Sequence, residues 1–191
     1  MSRPRYYYIQ KAILEKDCNK FVDEYKNKNL EDGMKYFVHG IDRKELKDCR
    51  HQLTWVPPAD IMMRALWSYI IEANNNLFHL NISNIPKYSG QFTKYSEIND
   101  GYNWHLDMAN NDEEDDELYK KLTCVIQLSK PEDYEGGEFQ LYNGENEPDD
   151  IPIKEQGSII VYRSNEWHRI TPLIKGTRYS LVYWAVGPRL V

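Results

Sequence analysis

The residues best suited to do chemistry open the stretch YNWHLDMANNDEEDDE, residues 102–117. His105 and Asp107 stand two apart. On a β-strand, positions i and i+2 point to one face, so an imidazole and a carboxylate at this spacing can reach one ion. A charged Asp aimed into a strand-built interior is costly unless it is paired or bound to metal. H-x-D alone is weak evidence, because so short a pattern recurs by chance. The acidic run behind it, 110–117, reads as a solvated loop. It lacks the central Gly and alternating ligands of a calcium-binding EF-hand loop.

A second set of residues lies near the far end, in NEWHRITPLIKGTRYSLVYW. His168 starts a strand-like run and Arg178 follows ten residues later. Two histidines and one carboxylate can face a single Fe(II) and leave further positions open. An open position can take a chelating ligand. The planar guanidinium of Arg178 suits the far carboxylate of such a ligand, because its fork makes two parallel hydrogen bonds. The spacing predicts that IKGT (174–177) is a tight turn placing His168 and Arg178 on neighbouring strands. Taken singly, a core histidine and a surface arginine are the plainer readings. Their order inside a strand-rich half of the chain favours a shared site.

Those residues need a scaffold, and the pattern supplies one. LTCVIQLS (122–129), GGEFQLY (136–142), GSIIVYR (157–163), HRITPL (168–173) and RYSLVYWAV (178–186) are rich in Val, Ile, Tyr and Thr. GG, NGEN, EQG and IKGT punctuate them. Short strands at this spacing predict an antiparallel sandwich or jelly roll. The first half is mixed. Leu14, Cys18, Phe21, Val22 and Tyr25 predict a helix over about 15–28. After Pro57 and Pro58 a second helix is expected, with Ile61, Met62, Ala65, Leu66, Tyr69 and Ile70 on its buried face and its end near Asn74–Asn76. MKYFVHG (34–40) and HQLTWV (51–56) read as short strands.

The 191 residues carry a formal charge of -6. That suits one domain with a sizeable core and argues against a nucleic-acid backbone as partner. Cys18, Cys49 and Cys124 form no C-x-x-C pair, so free thiols in a reducing compartment are expected. MSRPRYYYIQ has no apolar signal core, and no apolar run reaches membrane-spanning length. The expectation is a soluble, cytoplasmic protein (in a host cytoplasm if phage-encoded).

The order QFTKYSEINDGYNWHLD, LTCVIQLS, YEGGEFQLY, GSIIVYRSNEWHRITPL and GTRYSLVYW resembles the iron(II)- and 2-oxoglutarate-dependent dioxygenases of the prolyl-4-hydroxylase-like branch. IIEANNNLFHLNI is similar to the segment before the barrel in bacterial and phage PKHD-type hydroxylases. The resemblance implies an α+β chain forming one domain over 1–191. Residues 88–187 would form a double-stranded β-helix, a cupin-like jelly roll, and 1–87 its mixed helical support. It implies Fe(II) on His105, Asp107 and His168, 2-oxoglutarate as cosubstrate, and ascorbate as an accessory reductant. Arg178 would bind the distal carboxylate of 2-oxoglutarate and Tyr95 would hydrogen-bond the cosubstrate. Gln127 stands where some relatives carry a second tyrosine, which is a departure. Val125, Phe139 and Ile170 would wall the pocket and Trp184 would close its floor. Gln91 and Tyr102 would lie near the mouth, while Trp55, Trp67 and Trp104 are left to packing or surface.

The implied activity is hydroxylation of a prolyl residue in a protein or peptide, yielding succinate and carbon dioxide. Two other readings stay open: a hydroxylase of a free amino acid or other small molecule, and a metal-binding cupin-like module without turnover. A nucleic-acid demethylase is disfavoured, because Trp184 stands where such enzymes carry a second Arg. No oligomeric state follows from the sequence.

Overall fold

The computed structural model describes residues 4–33, 49–83, 85–108, 118–144 and 148–188. The acidic loop and the expected strand at 34–40 lie outside them. Fourteen strands are formed among the described residues. In chain order the first are β1 (Tyr6–Ile9), β2 (Glu31–Asp32), β3 (Cys49–Arg50), β4 (Gln52–Val56), β5 (Gly90–Tyr95), β6 (Gly101–His105) and β7 (Leu118–Gln127). Then come β8 (Tyr134–Gly136), β9 (Phe139–Leu141), β10 (Asp149–Asp150), β11 (Ile159–Arg163), β12 (His168–Ile170), β13 (Leu173–Gly176) and β14 (Arg178–Pro188). Two helices, α1 (Glu15–Tyr25) and α2 (Ile61–Ala73), complete the frame.

The strands form a seven-stranded sheet in the order β1-β11-β7-β14-β5-β4-β2 and a five-stranded sheet in the order β10-β9-β12-β6-β3. All pairings are antiparallel. This is the expected double-stranded β-helix. A ribbon of β8 with β13 stands apart from both sheets. The N-terminal part is more than helical support, since β1, β2 and β4 join the large sheet and β3 the small one.

Side-chain alternation divides the large sheet into two faces. Phe92, Leu122, Cys124, Ile126, Ile159, Val161, Leu181 and Tyr183 point to the helices and share one apolar core with Cys18, Phe21 and Tyr25 of α1 and Met62, Met63, Leu66 and Ile70 of α2. The opposite face carries Tyr162, Thr123 and Trp184 in one row and Ile160, Val125 and Val182 in the next. Gln127 with Ser180, and Arg178 with Tyr95, follow. Phe139, Leu141 and Ile170 of the small sheet close over this face in a second core.

The helices show what periodicity can and cannot specify. Asp60 caps α2 by accepting from the Met62 N–H at 2.8 Å, and its other oxygen takes the Tyr25 hydroxyl at 2.9 Å, tying α1 to the start of α2. Ile61, expected on the buried face, is 81% exposed. The apolar stripe runs through Met62, Leu66, Ile70 and Ala73, and Ile61 falls about 100° outside it. The α-helical part ends at Ala73, at the asparagines as expected. Asn74–Phe78 continue it as one π-helical turn, because the buried Asn74 amide both donates to Leu80 O and accepts from Leu80 N–H, each at 2.9 Å. The first helix stops at Tyr25, three residues short of the expected 28.

IKGT is not a tight turn between neighbours. Residues 173–176 form β13, and the chain then crosses to the other sheet. His168 and Arg178 therefore lie on opposing sheets. No helix among the described residues is long and apolar enough to cross a membrane. Cys18 and Cys124 are buried free thiols, and burial pushes the Cys18 thiol up to about 12.

Leu66 is fully buried between α2 and the large sheet. Leu66→Ala is expected to cost about 2–5 kcal/mol in denaturant unfolding, through lost transfer energy and the cavity left behind.

Candidate metal centre

The small sheet delivers two of the three candidate ligands directly. His168 opens β12 and pairs with His105, the last residue of β6. Asp107 lies just beyond that strand. It is held instead from the large sheet, its N–H donating to Ser164 O at 3.0 Å. One donor atom from each of His105, Asp107 and His168 lies within 4.8 Å of the others. His105 Nε2 is 3.7 Å from Asp107 Oδ1, and His168 Nε2 is 3.5 Å from Oδ2.

Backbone carbonyls orient both rings. His105 Nδ1 sits 2.7 Å from Asn103 O and His168 Nδ1 3.0 Å from Glu166 O. A carbonyl can only accept, so each Nδ1 carries the hydrogen and Nε2 is turned toward Asp107. The carboxylate is fixed in turn. Oδ2 accepts from the Thr123 hydroxyl at 2.8 Å and the Tyr162 hydroxyl at 3.4 Å. Thr123 is itself 3.0 Å from Ser164 Oγ. These three hydroxyl residues were not anticipated from sequence. Thr123 and Tyr162 sit at inward positions of β7 and β11, which alternation alone would assign to core.

Electrostatics favour the same arrangement. Burial, reinforced by the neighbouring His168, pushes His105 down to about 3, so its ring is uncharged at neutral pH. Burial works against the Asp107 carboxylate, but His168, His105, Lys120 and the Thr123 hydroxyl outweigh it and hold its carboxyl below the ordinary value. The result is an ionised oxygen ligand beside imidazole nitrogens, a donor set matched to Fe(II) and similar divalent ions.

A register shift between His168 and Ile170, against Tyr102 and His105, places one extra residue on β6. Residues three apart on a regular strand face opposite ways. Here the bulge brings Tyr102 flat onto His105, ring centroids 3.5 Å apart and planes 10° from parallel. Tyr102 is backed by His51 at 5.5 Å, and His51 also lies 5.7 Å from Tyr95. His51 is the single residue between β3 and β4, where the chain passes from the small sheet to the large one. Sequence reasoning missed it, because only the crossing gives it meaning.

The other expected residues share this interior. Arg178 is 1% exposed, and its Nε and Nη1 have no hydrogen-bond partner among the described residues. Its guanidinium lies 5.4 Å from the Tyr95 ring, directly across the β14–β5 pairing. Gln127 is fully buried, but its amide nitrogen is committed to Ser129 O at 3.2 Å and the Tyr134 hydroxyl at 3.1 Å. Val125, Phe139 and Ile170 are buried in the inner core, with Phe139 5.8 Å from His168. Trp184 is nearly buried, with its indole N–H unpartnered among the described residues and Lys120 over its ring. Gln91 is half-buried and bonded to Thr93. Trp55 touches the site through Trp184, at 6.5 Å. Trp67 packs on Tyr183 on the helix side, and Trp104 lies against Arg169 and Tyr142.

Fold and site together define a double-stranded β-helix with a His-Asp-His cluster inside it that could hold a metal ion. The profile of the 2OG-Fe(II) oxygenase superfamily matches residues 90–186, and the chain belongs to that superfamily. It is similar to PKHD-type hydroxylases. That of Hyphomonas neptunium is 35% identical over 86 residues, covering 44% of this chain and 37% of the relative. That of Stenotrophomonas maltophilia is 30% identical over 134 residues, covering 68% and 57%. The chain thus spans about half the length of such relatives or less. Two solved structures share the fold. A Pseudomonas putida prolyl-4-hydroxylase superposes with TM-score 0.70 at 16% identity, over 97% of this chain and 94% of that one. A Trichoplax adhaerens prolyl hydroxylase, solved with a hypoxia inducible factor peptide fragment, gives 0.71 at 17%, over 95% and 83%.

Burial lowers His51 to about 4. As pH falls below the ordinary value near 6.5, the unfolded chain takes up a proton that the folded chain refuses until about pH 4. His51 therefore costs stability as pH drops through that window and adds no further loss below it. His51→Gln is expected to make the slope of unfolding free energy between pH 6.5 and 4 shallower by up to ~1.4 kcal/mol per pH unit. Denaturant titrations of the metal-free protein at several pH values check this.

Proposed function

We propose that this chain is a hydroxylase dependent on Fe(II) and 2-oxoglutarate, acting on a prolyl residue of a protein or peptide from one domain spanning 1–191. The observation that carries the reading is the pairing of two features in one interior. A His105–Asp107–His168 donor cluster lies within 4.8 Å, and a buried Arg178 keeps two nitrogens unpartnered. A buried, unpaired guanidinium is costly, so a site that retains one is built for an anion.

His105, Asp107 and His168 would hold the iron, each aimed by the backbone carbonyls and hydroxyls described above. When bound, the iron supplies the oxidising chemistry that joins decarboxylation of 2-oxoglutarate to hydroxylation of a C–H bond. Arg178 would hold the distal carboxylate in its fork, with Tyr95 beside it. Val125, Phe139 and Ile170 exclude water from the interior, which strengthens each of these electrostatic contacts. No side chain is asked to remove a proton from the substrate, so the site needs no separate base. Tyr102, Phe139 and Tyr162 surround the imidazoles with aromatic rings, apolar surroundings suited to a proline ring. The prolyl hydroxylases of the same fold, one of them solved with a peptide fragment, support this substrate class over free amino acids.

Purified protein given Fe(II), 2-oxoglutarate and proline-containing peptides should add one oxygen to proline, read by mass spectrometry. Oxidation of free amino acids alone would overturn the substrate class. Asp107→Ala and His168→Ala should each abolish succinate formation, and wild-type turnover by either would remove the ligand assignment.

Arg178→Ala should weaken 2-oxoglutarate binding by about 2–5 kcal/mol, the range for truncating one partner of a buried charge pair. Arg178→Lys should lose less, because the charge stays while the fork is lost. Iron binding, followed separately, should survive both changes. Unchanged 2-oxoglutarate affinity in Arg178→Ala would refute the assignment.

A further inference from the structure

We infer that Tyr134 is a second tyrosine donor to the distal carboxylate of the cosubstrate, and that Gln127 is the positioning residue that aims it. This rests on the reading of Arg178 given above.

The Gln127 amide fixes how the Tyr134 hydroxyl is used. Its NH2 group has two hydrogens and meets two oxygens, Ser129 O at 3.2 Å and the Tyr134 hydroxyl at 3.1 Å. Ser129 O can only accept, so the atom facing it must be the nitrogen, and the amide cannot be turned over without setting two acceptors against each other. Both amide hydrogens are then spent. The Tyr134 oxygen accepts one of them, so its own hydrogen must point elsewhere. Gln127 Oε1, the acceptor, is left without a partner among the described residues and cannot itself welcome a carboxylate. The donor role implied for a tyrosine at position 127 has in effect been passed one step along, to Tyr134.

The fold brings the Tyr134 side chain close to the right cation. Tyr134 pairs with Gly176 in the β8–β13 ribbon, two residues before Arg178. Gly137, at φ +62°, brings the two side chains together. A Cβ there would lie 3.1 Å from Arg178 Cδ and 3.7 Å from Tyr134 Cδ2. Ser129 fixes the backbone on either side of Arg178, its hydroxyl donating to Thr177 O at 3.3 Å and accepting from Tyr179 N–H at 2.8 Å. The side chain of Tyr134, whose hydroxyl accepts from Gln127, and that of Arg178, with two nitrogens unpartnered among the described residues, thus both pack at Gly137. A carboxylate accepts at both oxygens and can satisfy both groups.

The test is calorimetric binding to the Mn(II)-loaded protein without turnover, using 2-oxoglutarate and its distal carboxamide, 2-oxoglutaramate. Mn(II) binding is measured first for every variant. Tyr134→Phe should weaken 2-oxoglutarate binding roughly 10- to 100-fold, the worth of one hydrogen bond to a charged group. It should leave Mn(II) binding intact and affect the carboxamide much less. Gln127→Met should weaken 2-oxoglutarate in the wild-type background but add little on top of Tyr134→Phe, because it acts through that hydroxyl. Unchanged affinity in Tyr134→Phe, equal losses for both ligands, additive effects of the two substitutions, or loss of Mn(II) binding would each overturn the inference while Arg178 stands. A wild-type protein that binds Mn(II) but not 2-oxoglutarate would overturn the functional reading, and this inference with it.

Discussion

A buried carboxylate must stay ionised at Asp107, and much of the interior is arranged around that requirement. Burial alone would drive the group neutral. It is opposed by the facing imidazoles, by Lys120 and by the Thr123 hydroxyl. These groups come from β6, β12 and β7, so the charge can be stabilised only when both sheets are in place. The backbone contributes as well: Ser164 O takes the Asp107 N–H, and carbonyls at 103 and 166 turn each imidazole toward it. Removing the carboxylate would leave Thr123 and Tyr162 hydroxyls facing no acceptor there, so the site and the inner core are one structure.

The constraint extends to the opposite face of the large sheet. Because strand side chains alternate, every polar residue that β7 or β14 turns inward is flanked by one turned outward to the helices. Thr123, Val125 and Gln127 interleave with Cys124 and Ile126. Arg178, Ser180 and Val182 interleave with Tyr179 and Leu181. The helix-side core therefore has to supply the stabilisation that a polar interior cannot. Fully buried Leu66, Ile70, Phe92, Leu122, Ile126 and Leu181 do this, so the inner face can be given over to polar groups. A one-residue slip of β14 would exchange the two faces and bury Arg178 in the helix-side core, where Tyr179 stacks on Phe92.

Much of this was legible in the sequence, and the failures have common causes. The strands around 122–129, 157–163 and 178–186 were readable because β-branched and aromatic residues cluster between turn signals. His105, Asp107, His168 and Arg178 each have a plainer reading taken singly, and stood out only together, through their order in a strand-rich half of the chain. What escaped was set by tertiary geometry. IKGT looks like a turn, and its conversion to β13 depends on a partner, β8, nearly forty residues away. The π-helical turn depends on Asn74 finding Leu80. His51 has no motif, and its place between Tyr95 and Tyr102 exists only because the chain changes sheets there.

With Tyr134 as the inferred donor, a glutamine at position 127 keeps the logic of the site. A tyrosine at that position would offer one hydroxyl hydrogen directly. An amide offers two hydrogens, but a nearby carbonyl takes one and fixes the orientation of the group. The second hydrogen then has one acceptor, the Tyr134 oxygen, and the donor is displaced outward without being lost. Such a substitution is tolerable only if a phenol already lies within 3.1 Å, which the β8–β13 ribbon provides. Chains that carry glutamine at this position should therefore also carry a hydroxyl-bearing residue at the start of that ribbon. Those with tyrosine there are free of the constraint.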